Sequence, residues 1–241
     1  MRPNLKGQVA LVTGAGRGIG RSVAIRIADL GAHVVLAARS KEQLEKVSEE
    51  IRAKNRLSSV FSTDVGDEKQ VERLFNFIKK ELGRLDILVN NAGIGRFGSL
   101  VDFPVESFDE LYRVNLRGVF LCCQQAMRIM MRAKKGYIIN ISSVVGFKGY
   151  PNQSAYTATK HGVMGLTKSL AVEAQEYNIR VSVIMPGGVE TDLAMIARPD
   201  LNPKILMSPE DIADAVEYLL SISDRAAVDE IYIRRKSSKP F

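Results

Sequence analysis

The sequence has too few cysteines and histidines to build a disulfide framework or a zinc site. Its two cysteines, Cys122 and Cys123, are adjacent, and neighbours on a helix point about 100° apart and rarely bridge each other. The two histidines, His33 and His161, lie far apart and give no metal-ligand spacing. We therefore expect neither a disulfide nor a bound metal, and we interpret both histidines as structural.

Long apolar runs and strong charge are also missing. No uncharged apolar run approaches the roughly 18 residues of a membrane span, and no signal-peptide-like hydrophobic stretch precedes the first glycine-rich turn. The net charge is +7, and five positive charges come from Arg225 and the tail RRKSSK, which we expect to be solvated. No basic face is interleaved with aromatic residues, as nucleic-acid binding would require. We expect a cytoplasmic protein that binds neither nucleic acid nor membrane.

Apolar runs alternate with helix-periodic segments along the chain. The predicted strands are Gln8–Thr13, Ala32–Ala38, Ser58–Thr63, Leu85–Val89, Tyr137–Ser142, Arg180–Met185 and Glu230–Ile233. The predicted helices are Ile19–Leu30, Lys41–Lys54, Glu68–Leu82, Ser107–Arg132, Tyr156–Tyr177 and Pro209–Leu220. This alternation predicts a single α/β domain over residues 1–241, with a Rossmann-like doubly wound sheet of about seven parallel strands and helices on both faces.

A glycine-rich stretch, TGAGRGIG, joins the first predicted strand to the first helix. It comprises Thr13, Gly14, Arg17, Gly18, Ile19 and Gly20, with Ala15 and Gly16 between them. The spacing fits TGxxxGxG rather than GxGxxG, but the physical reason is shared. Glycines permit a tight turn and close approach of a pyrophosphate, and the helix N-terminus supplies unpaired N–H groups. The stretch therefore predicts a dinucleotide site.

The end of the second strand indicates which dinucleotide binds. Sites for NAD usually place an acidic residue there to hold the ribose 2′-hydroxyl, whereas this chain has Ala37, Ala38, Arg39 and Ser40. Arg39, with Arg17 from the glycine-rich stretch, can pair with a 2′-phosphate because a guanidinium presents a planar fork. We predict NADP(H); the alternative is that both arginines are merely solvated.

A tyrosine and a lysine stand four residues apart in SAYTATKHG. On a helix Tyr156 and Lys160 would share a face. A phenol with a pKa near 10 is a poor acid–base catalyst, and a cation one turn away would lower that pKa. The alternative is a surface tyrosine beside a solvated lysine.

These motifs together resemble the short-chain dehydrogenase/reductase family over residues from about 7 to 192: TGAGRGIG, NNAG at 90–93, Ser143, Tyr156 and Lys160. The pattern is closest to the 3-oxoacyl-[acyl-carrier-protein] reductase-like members. The resemblance implies that cofactor-binding motifs lie within 13–93, the catalytic and substrate-facing part within 107–220, and a last strand with a basic tail within 228–241. It also implies a homotetramer or a dimer formed through the two long helices.

The resemblance further implies a role for individual residues. Tyr156 would donate the proton, Ser143 would orient the substrate carbonyl, Lys160 would also reach the nicotinamide ribose, and Asn115 would hold a water that leads to Lys160. The expected cofactor contacts are Asp64 and Val65 at the adenine, Asn90 near the adenosine ribose, Ala92 and Gly93 of NNAG, and Pro186, Gly187, the Val189 backbone and the Thr191 hydroxyl around the nicotinamide carboxamide.

The substrate is less well defined by the sequence. The leading expectation is a 3-oxoacyl thioester carried by an acyl carrier protein, which a basic patch at Arg128, Arg132, Lys134 and Lys135 could attract, although a solvated helix end explains that patch as well. The alternatives are a general carbonyl or alcohol oxidoreductase acting on a sugar, polyol or diketone, or a non-catalytic NADP(H)-binding sensor. The segment 192–208 is expected to fold over an open cleft or a modest apolar pocket.

Overall fold

The computed structural model describes residues 2–197 and 202–239. Within them the strands are β1 (Val9–Thr13), β2 (His33–Ala38), β3 (Ser58–Ser62), β4 (Ile87–Asn90), β5 (Gly136–Ile141), β6 (Ile179–Pro186) and β7 (Glu230–Ile233). All of these pair in parallel, in the order β3-β2-β1-β4-β5-β6-β7. The predicted fold class is confirmed.

Helices cover both faces of the sheet. They are α1 (Gly18–Asp29), α2 (Lys41–Ala53), α3 (Glu68–Phe77), α4 (Val105–Tyr112), α5 (Gly118–Ala133), α6 (Ser154–Gln175), α7 (Asp192–Ala197) and α8 (Pro209–Ser221). Alternate strand residues belong to two separate cores, because side chains on a strand point to opposite faces. Val34 and Leu36 of β2 pack with α1, α2 and α8, and Val35 packs with α3, α5 and α6 on the other face.

The strand order reverses its direction between β1 and β4. The chain builds outward from β1 to β3 and then returns to the middle of the sheet at β4. The loops that follow β1 and β4 therefore separate and leave a crevice at the carboxyl ends of these strands, where ligands bind in open α/β sheets. This topology places the glycine-rich stretch and NNAG side by side.

The predicted helix Ser107–Arg132 is interrupted. It consists of α4 and α5 joined by a π-turn at Arg113–Arg117, and a second π-turn, Ile78–Leu82, ends α3. Asn115 lies inside the π-turn at Arg113–Arg117, and its side-chain amide forms hydrogen bonds with both the N–H and the carbonyl of Ile94. Such one-turn widenings cluster at functional sites, and the hydrophobic periodicity of the sequence predicted neither of them.

Both cysteines are buried and free, and burial raises the pKa of Cys123 to about 12.

None of the helices in the described ranges is long and apolar enough to cross a membrane. In the same ranges, no three His, Cys, Asp or Glu residues cluster as metal ligands would.

Candidate active site

A cavity of about 860 Å³ lies at the carboxyl ends of the strands. It brings together most of the residues predicted for the site. Those that line it are Gly14, Arg17, Gly18, Ile19, Arg39, Asp64, Val65, Ala92, Gly93, Ser143, Tyr156, Lys160, Pro186, Gly187, Val189 and Thr191. The four that do not line it are Thr13, Gly20, Asn90 and Asn115, and each lies behind the cavity wall.

The glycine-rich stretch has the shape that a pyrophosphate requires. Gly14 and Gly18 have φ of 66° and 51°, a region that favours glycine. A Cβ on Gly20 would lie 2.2 Å from the carbonyl oxygen of Gly14. The Thr13 hydroxyl accepts hydrogen bonds from the amides of Asn91 and Ala92, both at 3.1 Å. The turn therefore stays tight against NNAG, and α1 begins at Gly18 with its first N–H groups facing the crevice.

The two arginines predicted for a 2′-phosphate have different surroundings. Arg39 lines the cavity at the end of β2, is exposed, and has no side-chain hydrogen bond or ion pair to any residue within 2–197 or 202–239. Arg17 instead forms a salt bridge with Asp192 of α7, so that the glycine-rich stretch contacts the segment expected to cover the substrate. Asp64, which is expected at the adenine, forms a salt bridge with Arg113 in which Oδ2 and Nη1 are 2.9 Å apart.

The Asn90 side chain does not face the cavity, which corrects its predicted place beside the adenosine ribose. It is 2% exposed and donates to Asn140 Oδ1 at 2.9 Å and to Cys123 Sγ at 3.2 Å. Asn90 is the last residue of β4, and alternation turns its side chain inward. The next residue, Asn91, lines the cavity.

Tyr156 and Lys160 share a face of α6, as predicted from their spacing. The Lys160 Nζ atom lies 5.7 Å from the centre of the Tyr156 ring and donates to the Ile141 carbonyl at 3.1 Å. The Ser143 hydroxyl lies near enough to the Tyr156 phenol to favour its ionised form, while its own hydrogen bonds run to the Pro186 carbonyl at 3.4 Å and from the Val145 amide at 3.3 Å. Tyr156 is therefore a buried group, and the alternative of a surface tyrosine beside a solvated lysine is wrong.

Burial determines the charge of this pair. Desolvation raises the pKa of Tyr156 well above its usual value, and the nearby Ser143 hydroxyl only partly opposes this rise. Desolvation also lowers the pKa of Lys160 to about 8. The expected lowering of the phenol pKa by Lys160 is thus not found in this structure, where the lysine is bonded to a carbonyl. Tyr156 is a neutral phenol, which is the form that gives up a proton.

Asn115 is fully buried behind Gly93. Its Oδ1 accepts from the Ile94 amide at 2.8 Å and its Nδ2 donates to the Ile94 carbonyl at 2.9 Å. A Cβ on Gly93 would lie 3.3 Å from Asn115 Oδ1 and 3.8 Å from Lys160 Nζ. The asparagine therefore fixes the loop that separates it from the lysine, while its predicted role in holding water stays a prediction.

Part of the basic tail lies on the cavity, which corrects the expectation that all of it is solvated, although Lys236 and Lys239 are exposed. Gly187 donates to the Ile233 carbonyl at 2.7 Å, so the residues after β7 lie beside the end of β6. Arg234, Arg235 and Ser238 consequently line the cavity. Sequence reasoning also missed Phe97, Lys148 and Tyr232 of the lining, since no motif marks them. Of the covering segment, α7 and a short 3₁₀ turn at Pro203–Ile205 are seen; residues 198–201, and 240–241 of the tail, lie outside the described residues.

Comparison with known proteins identifies relatives of the whole chain. The family model described as short chain dehydrogenase matches residues 8–202. A 3-oxoacyl-[acyl-carrier-protein] reductase, FabG, of Staphylococcus aureus is 42% identical over 221 residues, which are 88% of this chain and 90% of the relative. A sepiapterin reductase of Chlorobaculum tepidum is 36% identical over 236 residues, 95% of this chain and 96% of the relative.

Solved structures agree in fold and in length. A metagenomic short-chain oxidoreductase in complex with NADP superposes with a TM-score of 0.86 at 36% identity, covering 97% of this chain and 99% of that one. Levodione reductase superposes with a TM-score of 0.90 at 34% identity, covering 95% and 97%. The resemblance predicted from the motifs is confirmed, and the chain belongs to the short-chain dehydrogenase family as one of its oxidoreductases.

Proposed function

We propose that the protein is an NADP(H)-dependent reductase of 3-oxoacyl thioesters that transfers a hydride between nicotinamide and a carbonyl or secondary alcohol. One observation carries the proposal. A single cavity joins the glycine cradle and the unpaired Arg39 to the neighbouring Ser143 and Tyr156, with Lys160 one turn away. The similarity to a metagenomic short-chain oxidoreductase in complex with NADP supports the choice of cofactor, and the similarity to a 3-oxoacyl-[acyl-carrier-protein] reductase of Staphylococcus aureus supports the choice of substrate.

The cofactor would be held along the crevice. The first N–H groups of α1 and the turn at Gly14 would take the pyrophosphate, and Arg39 would take the 2′-phosphate. The bound nicotinamide supplies the hydride, or accepts it in the reverse reaction.

The chain's own residues handle the proton. Tyr156 and Ser143 line the same cavity as neighbours, so a carbonyl oxygen placed between their hydroxyl groups would accept from both. As negative charge develops on that oxygen, the neutral phenol gives it a proton and Ser143 stabilises it through a hydrogen bond. Lys160, when protonated, stabilises the phenolate that remains. Burial of the group excludes water from this transfer.

A second candidate is a reductase of small diketones or related carbonyls. The similarity to a sepiapterin reductase and to levodione reductase extends over nearly the whole chain, as does that to the thioester reductase. We further propose a cytoplasmic homotetramer or dimer formed through α5 and α6, whose Phe120 and Val172 are 47% and 74% exposed.

The test follows NADPH oxidation with acetoacetyl thioester and with a panel of diketones, aldehydes and ketoses. Thioester turnover that falls about 10²- to 10⁴-fold in Tyr156→Phe would support the proposal. Turnover of small diketones alone would support the second candidate. Activity that survives Tyr156→Phe unchanged would refute the assigned proton donor.

A further inference from the structure

We propose that Arg235 forms a subsite for an anionic group, a carboxylate or a phosphate, on the carbonyl compound that this enzyme reduces. The inference rests on the proposed NADP(H)-dependent reduction of a carbonyl, and it favours a substrate that bears its own anionic group over the neutral acyl chain of a 3-oxoacyl thioester. It assigns a binding residue to the segment after β7, where the sequence departs from the glycine-bearing ending expected by resemblance.

Arg235 lies at the substrate end of the cavity. Its Cδ and Nε would be 3.3 and 3.6 Å from a Cβ on Gly188, so the arginine side chain fills the space that a larger residue at position 188 would take. Position 188 lies two residues after Pro186, whose carbonyl accepts a hydrogen bond from the Ser143 hydroxyl at 3.4 Å. The guanidinium is therefore connected through one short stretch of backbone to the serine that would hold the reacting oxygen.

The guanidinium has bonding capacity that the described protein leaves unused. Nη1 of Arg235 is buried and has no hydrogen-bond partner in residues 2–197 and 202–239, nor does Arg235 form a salt bridge with an acidic residue there. An arginine stays charged at every physiological pH, and an unmade hydrogen bond of a buried charged group costs more than one of a neutral group. Nη1 itself is too buried to meet a ligand without a shift of its neighbours, but Arg235 also lines the cavity, where an anion would pair with the guanidinium.

Its neighbour Arg234 has a different, structural role. Nη1 of Arg234 donates to the carbonyls of Arg235, Lys236 and Ser238, at 3.1, 3.3 and 2.6 Å. These bonds fold the tail back on itself and hold the Arg235 backbone in place. One arginine thus positions the segment while the other faces the cavity.

The charges that line the cavity favour an anion at this end. Three acidic residues line the cavity: Asp64 and Asp192 are paired with Arg113 and Arg17, whereas Glu190 is exposed and forms no salt bridge within the described residues. Six basic residues, among them Arg235, line the same cavity. Lys148 lines the substrate end and lies 5.8 Å from the centre of the Tyr232 ring. Lys148 therefore adds a second positive charge to the surroundings of Ser143 and Tyr156, and an anionic substrate gains from both.

The cofactor is a poorer explanation of the unused donor. Its phosphates are expected at the glycine cradle and at Arg39, on the opposite side of the cavity, and the nicotinamide end carries an uncharged carboxamide. The group that meets Arg235 would therefore come from the substrate, in which a carboxylate or phosphate lies a few bonds from the carbonyl.

The first test compares charged and neutral carbonyl compounds of matched size with NADPH: acetoacetate with methyl acetoacetate, and levulinate with methyl levulinate. We expect the wild type to have the higher kcat/KM for the charged member of at least one pair. Arg235→Gln should lower that ratio about 10- to 100-fold, mainly through KM, as loss of a hydrogen bond between charged groups does. Kinetics with the neutral ester should stay unchanged.

Two variants serve as controls. Lys236→Gln removes one positive charge from the exposed neighbour, which does not line the cavity, and should leave the ratio unchanged. Arg235→Lys keeps the charge without the planar fork and should recover part of the preference. Equal losses with charged and neutral substrates in Arg235→Gln would overturn the proposal, because they would indicate a structural role.

A binding measurement separates this inference from the proposed function. Malonate, which cannot be reduced by this chemistry, is titrated into the NADPH complex and followed by nicotinamide fluorescence. Binding to the wild type that weakens about tenfold in Arg235→Gln supports the subsite even if no carbonyl is turned over. Malonate binding that is absent, or equal in both proteins, overturns it. Reduction of methyl acetoacetate in that case would leave the reductase function standing.

Discussion

Replacing Arg39 with glutamine tests which of two arginines distinguishes NADPH from NADH. The Arg39 side chain is exposed and makes no bond to the described protein, so its loss should change the free energy of unfolding by less than about 0.5 kcal/mol. Its hydrogen bonds to a 2′-phosphate would be charge-assisted, worth about 1.5–3 kcal/mol. At about 1.4 kcal/mol per factor of ten, kcat/KM with NADPH should fall roughly 10- to 150-fold.

Arg17 provides the matched comparison. It is already paired with Asp192, and both side chains are about two-thirds exposed, at 67% and 66%. An exposed pair of this kind contributes about 0–1 kcal/mol, so Arg17→Gln should change the NADPH/NADH ratio much less than Arg39→Gln does. If Asp192 is what withholds Arg17 from the phosphate, Asp192→Asn should increase the preference for NADPH.

The assay measures kcat/KM for both nucleotides at one ionic strength, because salt screens contacts between charges at the surface. The expected signature is a fall with NADPH alone in Arg39→Gln. A fall of equal size with NADH would mean that the residue supports the loop rather than the phosphate. A change of ratio in Arg17→Gln only would refute the assignment to Arg39.

Three further predictions concern the buried part of the site. Lys160→Met should abolish reduction yet raise the free energy of unfolding near pH 7, because the folded wild type bears a buried charge there. Burial lowers the pKa of Lys160 to about 8, so that between about pH 8 and about pH 10 the wild type takes up a proton when it unfolds. Denaturant unfolding should therefore show a gain in stability that shrinks over this pH range. In thermal melts, Gly20→Ala should destabilise the fold by at least about 1–3 kcal/mol, since its Cβ would lie 2.2 Å from a carbonyl oxygen, and it should also weaken NADPH binding. The control Gly165→Ala, which has open space around it in α6, should stabilise the fold in the same melts. Asn115→Ala should cost roughly 2–4 kcal/mol in urea unfolding, because the Ile94 amide and carbonyl both lose their partner; an unchanged midpoint would show that water replaces the amide.

Local patterns were sufficient for the fold. The central strands are mainly apolar, as in β1 (VALVT), because both faces of a parallel sheet are covered by helices, whereas the edge strand β3 (SSVFS) is more polar. Several helices have end signals, such as Ser40 before α2 and Gly83 after the π-turn that follows α3. Such signals are read within a few residues, so one sequence contains them in full.

Predictions that needed two distant segments at once were less secure. Whether Asn90 or Asn91 faces the cavity depends on where β4 stops, and a shift of one residue reverses the side. The salt bridge from Arg17 joins residues 175 positions apart, and the place of the tail depends on the register between β6 and β7. Charge and motif alone indicate none of these.

The ionisation of the catalytic pair shows the same dependence on packing. Sequence spacing placed Lys160 beside Tyr156 and led to the expectation that the cation would lower the phenol pKa, which would be correct in a solvated helix. In the fold both groups are buried. Desolvation raises the pKa of Tyr156 and lowers the pKa of Lys160, and each shift favours the neutral form of the group. With a pKa of about 8, Lys160 keeps its proton for the most part near pH 7, but its ammonium group is buried and donates to the Ile141 carbonyl. The proposed attraction for an anionic substrate therefore rests on Arg235 and Lys148, which also line the cavity, while the buried Tyr156 keeps the proton that the carbonyl oxygen needs.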